Sequence, residues 1–139
     1  MSANLASAFA AAAESKLGAP FRLHGRDPQT GLDCAGLVLS ALADCGMPTS
    51  EPPHYGLRNR DLSAHAVSFA ENQFEPASGP VKRGDLLLVR PGPAQSHLVI
   101  ALGADAFVHA HAGLRKVVKL GAGLPWPVRQ HWHLRAAQR

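Results

Sequence analysis

Three residues in this chain have the types and the setting for thiol chemistry: Cys34, His97 and His109. Cys34 follows the turn residue Gly31 and the carboxylate of Asp33, and it opens an apolar run from Ala35 to Leu42 that stops at Gly46. Asp33 therefore reads as a helix N-cap and Gly46 as the C-terminal stop, which puts Cys34 in the first turn. Unpaired N–H groups and the positive end of the helix dipole favour a thiolate there, so Cys34 is a candidate nucleophile, the alternative being a buried thiol that packs as a small hydrophobe. With a histidine strand downstream it is expected to be the nucleophile and the faster cysteine to be alkylated. Attack on an amide also requires a proton carrier for the leaving amine and a polar group that holds the carrier's ring. His97 opens a short apolar run bounded by Gly103, and His109 lies in a second run from Phe107 to His111. Both runs read as strands.

The elements that must position these residues follow from the hydrophobic pattern. Leu5, Phe9, Ala13 and Leu17 recur at spacing four and predict an amphipathic helix that ends at Gly18. Phe21 to Thr30 reads as a loop whose Arg22, His24 and Arg26 are solvated charges. Met47 to Asn59, with three prolines and Tyr55, reads as a second loop, and Asp61 to Phe74 as a short helix with His65 on its exposed side. Leu86 to Arg90 predicts a buried strand, and the Pro91-Gly92-Pro93 loop returns the chain to Ser96-His97. Lys116 to Leu120 and Gln130 to Arg135 complete a run of strands joined by short turns, an antiparallel meander. The expected class is α+β, a single domain over residues 1–139, with the Cys34 helix packed on the sheet.

Composition narrows the partners. A chain of 139 residues with 46% hydrophobic and 17% charged residues has the makings of one folded core. The net charge of +4 favours an anionic partner, yet no basic run with interleaved aromatics points to nucleic acid. No stretch approaches the ~20 apolar residues of a membrane span. The alanine-rich start lacks a basic segment before it, so no signal peptide is expected and synthesis is expected in the cytoplasm. Cys34 and Cys45 lie about 16 Å apart along one helix, beyond disulfide reach, and Cys45 is expected to be packing.

Together these segments resemble the NlpC-type family of cell-wall cysteine peptidases, which have a papain-like fold. The motifs that carry the resemblance are Asp33-Cys34-Ala35-Gly36-Leu37-Val38, Gly84-Asp85-Leu86, Ser96-His97 and Phe107-Val108-His109-Ala110, in the family's order and spanning roughly Gly18 to Leu120. The resemblance implies that Cys34 attacks, His97 acts as base and acid, His109 orients it, and Asp33, Phe21 and Ser96 contact substrate. It implies a peptidoglycan stem peptide as substrate, cut between D-glutamate and the diamino acid, with no cofactor and no metal. The short form is similar to peptidases carried by phage tails and gene-transfer particles, which implies tail proteins as partners. Phe21 stands where the family usually has Tyr, and Ala35 where it usually has Ser.

Two other readings stay open. Eight histidines include the strand-spaced pairs His109 with His111 and His131 with His133, which could converge on zinc in a metal-dependent hydrolase. No His-Glu-x-x-His or Cys-x-x-Cys pattern accompanies them, and His131 and His133 read as solvent-side residues of an edge strand. The other reading is a non-catalytic tail component of the same fold that binds the wall without cutting it.

Overall fold

A computed structural model describes residues 2–49, 73–92 and 95–135. Helix α1 (Ser2–Glu14) buries Phe9, Ala10 and Ala13 at helical spacing, and Phe9 meets Phe74 edge-on at 5.5 Å. The helix ends earlier than the leucine spacing predicts: Leu17 lies in the turn beyond it and is exposed, and Gly18 takes the left-handed conformation. Helix α2 (Cys34–Asp44) matches expectation, capped by Asp33 at one end and followed by Gly46 at φ 74° at the other.

Between the helices the expected loop contains a small hairpin, β1 (Arg26–Asp27) paired with β2 (Gly31–Leu32). Residues this polar carry no strand pattern. The hairpin forms because Asp27 closes its turn, accepting from the Gln29 N–H through its side chain and from the Thr30 N–H through its carbonyl. The expected helix from Asp61 falls mostly outside the described residues, as do Tyr55 and His65. Its last residue, Phe74, begins strand β3 (Phe74–Pro76).

Strands β4 (Leu86–Val89), β5 (His97–Ala101), β6 (Phe107–His111) and β7 (Lys116–Leu120) form the expected meander. Strand β8 (Val128–Leu134) departs from it, crossing back to lie between β3 and β4 in a sheet of order β3-β8-β4-β5-β6-β7. All four residues of β4 are buried, so β4 needs a partner on each edge, and β8 supplies the second. The sheet is antiparallel at every described pairing.

Alternation along the strands divides the interior. Leu86, Leu88, Leu98, Ile100, Val108, Ala110 and Trp132 pack with α1 and α2 in the main core. Leu87, Val89, Val99, Ala101 and Phe107 form a second cluster on the other face, covered by Val81, Leu120, Leu124 and Trp126. Among the described residues no helix is long and apolar enough to cross a membrane.

Candidate active site

The start of α2 is built around the Asp33 carboxylate, which is 2% exposed. One oxygen accepts from the Gly36 N–H at 2.8 Å and from the Arg26 guanidinium at 2.9 Å; the other accepts from the His24 N–H at 2.8 Å. Arg26 is thus an ion-pair partner of the cap and not a solvated loop charge, the correction being that a buried carboxylate requires a counter-charge. Gly36 is required by contact: a Cβ there would sit 2.0 Å from the Gly25 carbonyl oxygen. The glycine two residues after the cysteine therefore lets the loop carrying His24 and Arg26 lie directly on the helix start.

Cys34 occupies the first turn as expected, but its thiol is not poised as a thiolate. Burial pushes it up to about 12, the Asp33 charge adds to the rise, and the backbones of Leu98 and Ala35 with the Arg26 charge only partly oppose it. The helix-start argument is outweighed because the group is desolvated and beside a carboxylate. Cys45 is also raised, by burial and by Asp44, but remains part-exposed. Burial thus works against fast alkylation of Cys34, in opposition to the helix-start effect. Both cysteines are free thiols.

The two histidines meet. His97 Nε2 lies 2.8 Å from His109 Nδ1, with ring centroids 5.0 Å apart and the planes at 79°. His109 is 2% exposed and His97 is part-buried. Burial, with His109 and His111 nearby, lowers His97 to about 3; burial and His111 lower His109 to about 4. Both rings are neutral at pH 7, so one nitrogen of the shared bond donates and the other accepts. When His97 Nε2 donates, its Nδ1 is a free base. Trp126 leans edge-on against both rings, at 6.1 Å from His97 and 5.5 Å from His109.

The Cys34 thiol lies against the Leu98 backbone, one residue along β5 from His97. Alternation puts His97 on the face of Val99, with Trp126, while Leu98 faces α2. Among the described residues no hydrogen bond joins the sulfur to either ring. Ser96 is part-buried just before β5. Phe21 packs on the main core and its N–H donates to the Arg115 carbonyl. His111 is tied locally, its Nδ1 accepting from the Leu114 N–H.

Sequence reasoning missed two features. Trp126 was visible only as a tryptophan between prolines, with no periodic signal to place it. The other is a cluster in which both Asp85 oxygens are taken by imidazoles: His131 Nε2 at 2.6 Å from Oδ2, and His133 Nδ1 at 2.7 Å from Oδ1. His131 and His133 are therefore not solvent-side residues of an edge strand, because β8 is interior and its alternation brings them to the strand that begins after Asp85. The expected zinc grouping of His109 and His111 with His131 and His133 does not form, since His109 pairs with His97 and the other pair with Asp85.

Two helices on an antiparallel sheet, with a cysteine at a helix start beside a histidine strand, define a papain-like α+β protein. The chain belongs to the NlpC/P60 family, whose profile matches residues 18–127. No curated protein matches it. Among solved structures it is similar to NlpC2 from Trichomonas vaginalis, with a TM-score of 0.71 and 17% identity, over 92% of this chain and 47% of that one. This chain thus spans about half the length of that relative. It is similar to the P60 domain of an antigen from M. avium subspecies paratuberculosis, with a TM-score of 0.64 and 19% identity, over 99% of this chain and 98% of that one. It is also similar to the peptidoglycan hydrolase RipB from Mycobacterium tuberculosis, with a TM-score of 0.64 and 21% identity, over 99% of this chain and 67% of that one.

Proposed function

We propose that the protein is a cysteine peptidase that hydrolyses an amide bond of peptidoglycan stem peptides, with Cys34 as nucleophile, His97 as base and acid, and His109 as orienter. The observation that carries this reading is the hydrogen bond between His97 and His109, placed one residue along the strand from the backbone that meets the Cys34 thiol. Family membership and likeness to a protein described as a peptidoglycan hydrolase support it.

The resting pair is a neutral thiol and a neutral imidazole. Catalysis then begins with proton transfer from Sγ to His97 Nδ1 as sulfur attacks the carbonyl carbon, not from a preformed ion pair. The imidazolium gives that proton to the leaving amine, a thioester remains on Cys34, and water assisted by His97 releases the acid. Attack requires the His97 ring, which stands on the Trp126 side of β5 in the substrate-free protein, to turn toward the sulfur on the α2 side when substrate binds. Cys34 and Ala35 offer the first-turn N–H groups, since that of Gly36 is taken by the Asp33 carboxylate and that of Leu37 by its carbonyl. The Cys34 N–H is the oxyanion donor in this scheme.

The bond is the one between D-glutamate and the diamino acid, and the +4 charge suits an anionic wall polymer. Phe21 and Ser96 contact the substrate, and the Asp33 carboxylate receives its free amine. The protein is made in the cytoplasm and works with phage-like tail proteins that deliver it to the wall. Mass spectrometry of purified muropeptides tests the activity: new termini at the D-glutamyl bond with wild type and none with Cys34→Ala support it. A second reading, a wall-binding component that does not cut, is favoured by the buried Cys34 thiol and the His97 ring standing on opposite sides of β5. Retention on insoluble wall with no new termini from either protein would establish that reading instead.

A further inference from the structure

The Asp85, His131 and His133 cluster has no part in the proposed reaction. Asp85 precedes β4 at one end, whereas His97 pairs with Val89 at the other, about 13 Å away along the strand rise. What the cluster does present is a donor set. Two imidazoles at i and i+2 share one face of an interior strand, and a carboxylate from the residue just before the adjoining strand faces both. Their three ligand atoms all lie within 4.8 Å of one another.

We propose that Asp85, His131 and His133 bind a divalent transition-metal ion, zinc by donor chemistry, which fastens β8 to β4. Tetrahedral zinc with ligands at about 2.0 Å holds its donor atoms roughly 3.3 Å apart. The nitrogen-to-oxygen separations of 2.6 and 2.7 Å need to open by well under an ångström, which part-exposed histidine side chains accommodate. The carboxylate is already fixed for the task, because the Lys82 N–H donates to its Oδ2 at 2.9 Å. Each imidazole enters as a neutral ligand through the nitrogen that faces Asp85, its one proton moving to the other ring nitrogen as the metal takes the place of the hydrogen bond.

A fourth position is accessible. His133 retains 32% side-chain exposure, and His131 also lines an open depression with Pro76, Gln130 and Trp132. Glu75 stands directly across from His133 in the β3–β8 register and is exposed, so a second carboxylate or a water can complete the shell. The donor set of two nitrogens and one or two oxygens suits borderline divalent ions, zinc and its spectroscopic substitute cobalt among them.

The test uses the tag-free chain with Cys34→Ala and Cys45→Ala, so that neither thiol competes for metal, titrated with Co²⁺ and then displaced by Zn²⁺. One equivalent of cobalt with visible absorption of nitrogen and oxygen ligation, lost on adding zinc, is expected. His133→Gln on the same background keeps a hydrogen-bond donor for Asp85 while removing a ligand, and should weaken binding at least tenfold with an unchanged circular dichroism spectrum. If the cysteine-free chain does not fold, the wild type and His133→Gln compared by thermal melting with Zn²⁺ or EDTA give the same comparison, with a zinc-dependent rise only in the former. Absence of stoichiometric binding, or a His133→Gln effect below tenfold, overturns the site. None of these readouts depends on peptidase activity.

Discussion

His97 and His109 are held to each other by a 2.8 Å hydrogen bond and stand together against Trp126, although they come from different strands. The bond fixes which nitrogen of His97 remains free to take a proton. His97→Ala should therefore abolish muropeptide hydrolysis, whereas His109→Gln, whose amide oxygen can still accept from His97, should retain part of it. His109→Ala should fall roughly 10²-fold or more, as expected on removing the group that orients a catalytic imidazole. Equal kcat for His109→Gln and His109→Ala would show that the bond does not orient His97.

The cysteines should react in the order set by burial. With Cys34 raised to about 12, its thiolate fraction at pH 7 is on the order of 10⁻⁵. Iodoacetamide with peptide mapping should modify Cys45 first in the folded protein and Cys34 only once urea unfolds it. Faster modification of Cys34 in the native state would mean that the helix start outweighs desolvation after all.

Stability should fall on acidification through the histidine pair. The folded values, about 3 for His97 and about 4 for His109, lie below the ordinary 6.5, so between these limits the unfolded chain binds more protons. Their contribution is complete above pH 6.5 and is lost as pH falls toward 3. Urea unfolding at pH 7, 5.5 and 4 should show a steeper loss for wild type than for His109→Gln. Parallel curves would mean that these rings are not held neutral by the fold.

Much of this was legible in the sequence because local signals and tertiary demands agreed. Asp33, Cys34 and Gly46 mark helix α2 from cap to stop, and the runs after Leu86, His97, Phe107 and Lys116 give strands β4 to β7 within a residue or two. The His97 and His109 pairing followed from motif order. Strand β8 was legible as a strand but not as an interior one, since only the need of β4 for a second neighbour places it there. The same long-range pairing brings His131 and His133 to Asp85, 46 and 48 residues away, beyond the reach of any periodicity. The burial of the Cys34 thiol was not legible, because helix position can be read locally and desolvation cannot.

Asp33 carries two separable roles, and its crowded carboxylate weights them. Its oxygens accept from Gly36, Arg26 and His24, so Asp33→Asn should cost on the order of 2 kcal/mol through a weakened cap and a lost ion pair. Urea denaturation measures that term. Activity on stem peptides with and without a free N-terminal amine measures the other: a capping role lowers both substrates equally, while a substrate role lowers only the one with the amine.

Trp126 should act on the pair through water exclusion. Its indole covers both rings edge-on, and burial is the leading cause of their lowered values. Trp126→Ala admits solvent, stabilises the imidazolium, and should move both rings up toward 6.5. Proton NMR titration of the ring Cε1 signals reads this directly. The acid limb of the activity profile should shift to higher pH in the same variant, since a base is lost once it is protonated. Trp126→Phe keeps an aromatic cover and should leave both titrations nearer to wild type. If Trp126→Ala leaves the two titrations unchanged, desolvation of the pair comes from the sheet and the helix layer alone, and the indole serves only the apolar cluster with Leu87, Val99 and Phe107.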